Sequence, residues 1–130
     1  MSPHHSLLTR NDIVNPQRCP DGLGPITKPA AQAVVPNGCG TANVTVPQFN
    51  FGGCCDAHDM CYSACGATFD SCNDAFEQCM YDRCAADYMD EWDFFHLAAC
   101  KAGAFFYASV VMIGGVEAFM SATRDQCDCV

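Results

Sequence analysis

The chain has 130 residues, half of them hydrophobic, which is one domain's worth of sequence with enough apolar material for a core. Its 12 cysteines are the usage of a small secreted scaffold in an oxidising, extracellular compartment, and the even count permits complete pairing. Six basic residues against 15 acidic ones leave a net charge of -9, which excludes a nucleic-acid backbone and disfavours a strongly anionic membrane as partner.

No secretory apolar region opens the chain, so the sequence reads as a mature form behind an added Met1. Residues 1–36 carry most of the prolines and little apolar periodicity, which predicts an irregular arm pinned to the surface by Cys19. Asn37 to Thr41 is a glycine-bracketed loop whose backbone can turn carbonyls inward. The stretch from about Asn50 to Cys65 lacks proline and stops before Gly66, so it is expected to be helical.

After a turn at Gly66 to Phe69, Asp70 or Ser71 can cap a second helix to about Tyr88, with apolar or Cys residues at 72, 76, 79, 80 and 84. A third apolar helix is expected from about Phe94 to Met120, broken at Gly114 and Gly115, before a tail closed by Cys127 and Cys129. Its uncharged part, Ala102 to Val116, is too short to cross a bilayer and reads as core helix, so no transmembrane segment is expected. Strand signals are weak throughout. The fold class is therefore mainly α, with little or no sheet, in one domain covering residues 1–130.

Cys54 and Cys61 lie two helical turns apart on one face of the first helix, and Cys72 and Cys79 repeat that interval in the second. In an antiparallel hairpin, facing positions share a constant sum of residue numbers. Cys54 with Cys79 and Cys61 with Cys72 satisfy that condition together. Cys55 points off this face, and Cys39 is its natural partner because that bridge would draw the glycine loop over the helix. Cys19, Cys65, Cys84, Cys100, Cys127 and Cys129 have no pairing that spacing can choose. Zinc is the poorer reading of these cysteines, since CysAspCys at 127–129 lacks metal-ligand spacing.

His58 shares the face of Cys54 and Cys61, so both staples fix its position. Asp59, turned about 100° around the helix, aligns with Cys55 on the side where the glycine loop should dock. One helix thus presents a base and a hard oxygen ligand. A HisAsp pair elsewhere is ordinarily two solvated side chains; the flanking cysteines set this one apart.

The run Cys54-Cys55-Asp56-Ala57-His58-Asp59-Met60-Cys61-Tyr62 resembles the CCxxHDxCY signature of the secreted phospholipase A2 enzymes, with every fixed residue in place. The separation of Cys39 from His58 also matches the family. Residues 65–80 resemble the second long helix of its compact branch, which lacks a β-wing. The likeness is firm over about residues 36–84, extends to the tail at 114–129, and is absent before Pro36.

The resemblance implies calcium-dependent hydrolysis of the sn-2 ester of glycerophospholipids at a membrane or micelle surface, outside the cell. His58 would be the general base that activates water. Calcium would be held by Asp59 and the carbonyls of Gly38, Gly40 and Ala42, and would polarise the ester carbonyl. The Gly40 backbone N–H could add to the oxyanion hole. Tyr62 corresponds to a tyrosine that hydrogen-bonds the residue orienting the histidine.

That orienting position departs from the family. Asn73 stands where the family has a carboxylate, and Asp74 follows one residue later. Asn73 Oδ1 can accept from the imidazole, expected through Nδ1–H, while Asp74 would need a different helix register. Phe49, Phe51, Trp92, Phe94 and Phe95 either line an acyl slot or touch lipid, or are simply core. His4, His5 and His96 carry no motif. Asn73 keeps a second reading open: a weakly active or inactive relative that acts by binding a receptor or another protein of unknown identity.

Overall fold

Cysteines do for the first helix what capping and helix propensity do not. In the computed structural model, which describes residues 16–36, 49–89 and 94–130, α1 runs over Gly52–Ser63. It begins with two glycines, has no side-chain cap at Phe51, and a helix this short is marginal in isolation. Three of its residues are disulfide-bonded cysteines. Its C-terminal carbonyls are taken up by a residue far away in sequence. The Arg18 guanidinium donates to Ala64 O at 2.9 Å and, more weakly, to Cys61 O at 3.4 Å.

Helix α2, Phe69–Asp87, has the stronger local signals. Its cap is Thr68, two or three residues before the expected Asp70 or Ser71. The Thr68 hydroxyl accepts from the Ser71 N–H and the Ser71 hydroxyl accepts from the Thr68 N–H, both at 3.1 Å. Asp70 in the first turn suits the helix dipole. The expected hairpin bridges form: Cys54–Cys79 and Cys61–Cys72, with Cα atoms 5.7 and 5.6 Å apart. Cys55 is oxidised as well, and its expected partner Cys39 lies outside the described residues.

The third apolar segment is two helices, α3 (Phe94–Gly114) and α4 (Val116–Gln126), meeting at Gly115 where the break was expected. Cys84–Cys100 fixes α3 to α2. Its inner stripe of Cys100, Ala104, Tyr107 and Ala108 packs on Phe51, Phe76 and Met80. The small residues in α3 admit large rings: a Cβ on Gly103 would lie 3.0 Å from the Phe49 ring. The expectation that this apolar stretch is core holds for the inner stripe alone. The apolar character extends on both sides of Lys101 through residues 94–114, and most of that helix is exposed.

The N-terminal arm is not wholly irregular. Pro25–Thr27 forms β1, paired antiparallel with β2 (Cys127–Cys129), with Ile26 opposite Asp128. Cys19–Cys129 and Cys65–Cys127 anchor this two-stranded ribbon. These strands are set by backbone hydrogen bonds between distant segments that two disulfides hold together, which explains their weak local signal.

Arg18 gathers the arm, α1 and α4 around one buried charge. Besides the α1 carbonyls, it donates to Ala67 O at 2.8 Å and Thr123 Oγ1 at 2.9 Å, and its guanidinium lies 4.1 Å from the centre of the Phe119 ring. Burial lowers its pKa from the ordinary value. Replacing it takes the side-chain donor from Ala67 O and the second donor from Cys61 O and Ala64 O, which keep the Ala64 and Ala67 N–H groups, so Arg18→Met should cost about 1–3 kcal/mol. Guanidinium unfolding with all disulfides intact should show that loss as a lower midpoint at unchanged slope.

Candidate active site

His58 projects from α1 midway between the two hairpin bridges and is buried. Its ring lies between two aromatic rings, Tyr62 at 4.2 Å and Phe76 at 4.5 Å between centroids. Across the hairpin, Asn73 Oδ1 lies 2.7 Å from His58 Nε2 and 2.7 Å from the Tyr62 hydroxyl, which donates to it. A carbonyl oxygen accepts and cannot donate, so Nε2 must carry the hydrogen. The expected contact was through Nδ1–H. The ring is turned the other way, and Nδ1 is thereby the nitrogen able to take up a proton.

Asn73 is buried and Asp74 is exposed, so the geometry places the amide beside the histidine and turns the carboxylate toward solvent. His58 also borders a cavity of about 50 Å³ between Ala57 and Ala75, walled by both bridges. That is room for water and little more.

Burial lowers the His58 pKa, while the hydrogen bond from Nε2 to Asn73 and the negative field of Asp59 push it back up. The Tyr62 phenol is pushed far above its ordinary value by burial, with Asn73 opposing and Asp59 adding to the shift, so Tyr62 keeps its proton. Its position also depends on a residue whose role spacing does not reveal. Gly115, read from the sequence as a helix break, is buried at the joint of α3 and α4. A Cβ there would lie 2.6 Å from the Tyr62 hydroxyl and would also crowd the Val111 carbonyl. Phe76, legible beforehand as an apolar position, proves to be a wall of the histidine site.

Asp59 follows His58 on α1 and is half-buried. Its carboxylate is the kind of hard oxygen donor that suits calcium. Gly38, Gly40 and Ala42 lie outside the described residues, and no group of three or more His, Cys, Asp or Glu that could hold a metal occurs among the described ones. Calcium accepts backbone carbonyls as well as carboxylates, so carbonyl oxygens could complete a site that includes Asp59. Of the aromatics, Phe51 is core, Phe49 packs against it at 5.5 Å, Phe94 and Phe95 are exposed, and Trp92 lies outside the described residues. His96 stacks on Tyr88 at 5.7 Å.

Gly115→Ala should destabilise the fold by about 1–3 kcal/mol through overpacking. Tyr62→Phe should remove part of that penalty, because the hydroxyl is one of the two groups in the way. Unfolding midpoints of both single variants and the double variant measure the coupling. For His58, a folded pKa below the unfolded 6.5 means that the unfolded chain binds the proton more readily. Stability should therefore fall as the pH drops below 6.5, until His58 is protonated in the fold as well. NMR titration of the calcium-free protein should place its midpoint below 6.5, and Asn73→Asp should raise it.

Comparison with known proteins identifies a family. The family model described as "Group XII secretory phospholipase A2 precursor" matches residues 3–130. The human Group XIIA secretory phospholipase A2 is 26% identical over 129 residues, covering 95% of this chain and 67% of the relative. The mouse Group XIIB secretory phospholipase A2-like protein is 30% identical over 135 residues, covering 95% and 68%, and the mouse Group XIIA protein is 31% identical over 84 residues, covering 60% and 43%. The chain spans at most about two thirds of the length of these relatives. No solved structure matches it. With the family model matched over nearly its whole length, the chain belongs to the group XII secretory phospholipase A2 family.

Proposed function

We propose that this chain is a calcium-dependent phospholipase A2 acting outside the cell on the sn-2 ester of glycerophospholipids, with His58 as general base. The observation that carries the reading is the 2.7 Å contact of His58 Nε2 with Asn73 Oδ1, which leaves Nδ1 to accept a proton. His58 Nδ1 takes a proton from water as the water oxygen attacks the sn-2 carbonyl. The imidazolium then returns a proton to the departing glycerol oxygen, and a fatty acid and a lysophospholipid leave. No covalent bond to the protein is needed.

Tyr62 and Asn73 keep the ring in one orientation through this cycle. Asn73 stabilises the imidazolium as a dipole, where a carboxylate would do so as a full charge, so the rate is lower than a carboxylate would allow. Asp59, with the carbonyls of Gly38, Gly40 and Ala42, would hold calcium, which supplies electrophilic stabilisation of the ester oxygen and a counter-charge to the substrate phosphate.

Asn73 also favours a second reading, a weakly active member that works by binding another protein. Fatty-acid release from mixed phospholipid vesicles decides between them. The main reading expects release with calcium and none with a chelator, a fall of roughly 10²–10⁴-fold in His58→Gln, and a weaker calcium response in Asp59→Asn that high calcium rescues in part. Unchanged turnover in His58→Gln would remove His58 as the base. Absence of release from every vesicle tested leaves the binding reading.

A further inference from the structure

A surface helix normally turns a polar face to water. Helix α3 does not. Cys100, Ala104, Tyr107 and Ala108 take its inner side, and the opposite side carries Phe94, Phe95, Phe105, Phe106 and Ile113, between 40% and 83% exposed. No Asp, Glu, Lys or Arg lies among them on that side; Lys101 sits at its border. At about 200 Å² per aromatic side chain, these residues expose roughly 600 Å² of apolar surface, as much as the largest patch of a typical monomer.

Among the described residues, Phe94–Gly114 is the helix long and apolar enough to cross a bilayer. Crossing is excluded by what its inner side does. A spanning helix would need lipid or other spanning helices around it. This one is bridged to α2 through Cys84–Cys100 and buries its inner stripe against the disulfide-bridged α1–α2 hairpin, whose helices carry exposed charged residues. Among the described residues one side packs on protein and the other is exposed, which is the arrangement of a helix lying in the plane of a membrane surface.

Charge and area narrow the occupant. Two copies meeting through α3 would bring together chains of net charge -9 each, and the patch falls short of the roughly 800 Å² per partner of a standard stable interface. An anionic bilayer would repel the same charge. A zwitterionic phospholipid surface does neither, and it accepts an uncharged phenylalanine face.

We infer that the outer face of α3 is an interfacial docking surface for zwitterionic phospholipid, inserting its phenylalanines while the rest of the molecule stays in water. The choice of occupant rests on the proposed phospholipid substrate, but the docking itself needs neither His58 nor calcium.

The test is flotation of the whole chain with vesicles of ether-linked phosphatidylcholine, which contain no sn-2 ester, in the presence of a chelator. Wild type and His58→Gln should bind equally, and more strongly than to phosphatidylglycerol vesicles. Phe95→Asp and Phe105→Asp should each lower partitioning by at least roughly tenfold. Val35→Asp, at an exposed apolar position off the helix, should leave it unchanged. Both phenylalanines are exposed, so native disulfide maps and helical circular dichroism should be retained. Equal binding by the Phe95 and Phe105 variants would overturn the inference. So would failure of wild type to bind, loss of binding in His58→Gln, or a dimer in sedimentation that the same substitutions dissolve. Binding to these vesicles together with no fatty-acid release from ester-linked phosphatidylcholine in calcium would count against the proposed hydrolysis and leave the docking surface standing.

Discussion

The spacing between α1 and α2 governs the centre of this protein, and two disulfides set it. Cys54–Cys79 and Cys61–Cys72 close loops of 25 and 11 residues, and each should contribute on the order of 3 kcal/mol by restricting the unfolded chain. Without them α1 would be a short, glycine-initiated, uncapped helix with little reason to persist. With them, a histidine on one helix and an asparagine on the other meet at 2.7 Å. Precision at the site therefore comes from covalent cross-links more than from helix propensity, and Arg18 adds donors at the C-terminal end of α1, beside the Cys61–Cys72 bridge.

The polar network inside that hairpin is small and fully used. One carbonyl oxygen of Asn73 accepts from both His58 and Tyr62, and no buried side-chain nitrogen or oxygen among the described residues lacks a partner. Sharing an acceptor fixes the imidazole tautomer as a carboxylate would, while leaving less negative charge to support a protonated ring. Tautomer and proton affinity are separate properties, and this chain retains the first while weakening the second. Gly115 belongs to the same unit, since the absence of its side chain lets α4 start against the Tyr62 hydroxyl.

Helix α3 relates to the remainder in two ways. Inward, its alanines and glycine admit the rings of Phe49 and Phe51 and bring the helix close to the hairpin. Outward, it leaves phenylalanines in water, at a cost that burial of the inner stripe and the Cys84–Cys100 bridge offset. A helix that is apolar all round and packed on one side alone has its other side available for an apolar surface beyond the chain.

Residue spacing alone determined the hairpin. Two Cys pairs seven residues apart, His58 between one pair and a glycine turn between the helices allow few arrangements, because helical periodicity converts sequence interval directly into direction. The Cys54–Cys79 and Cys61–Cys72 bridges and the placement of His58 between them were legible for that reason, and the break at Gly115 from the two adjacent glycines at 114 and 115. Tertiary structure decided what periodicity does not encode. Which ring nitrogen of His58 faces Asn73 depends on the rotation of a side chain, and whether Asn73 or Asp74 faces inward depends on the phase of α2 against α1. The bridges Cys19–Cys129, Cys65–Cys127 and Cys84–Cys100 join segments whose separation carries no angular information. Arg18 is buried because carbonyls at the end of α1 and a hydroxyl from α4 converge on it, a meeting of distant segments that no local spacing encodes. The exposure of α3 was hidden likewise, since an apolar stripe looks the same in sequence whether protein or solvent lies against it, and the packing partner alone tells them apart.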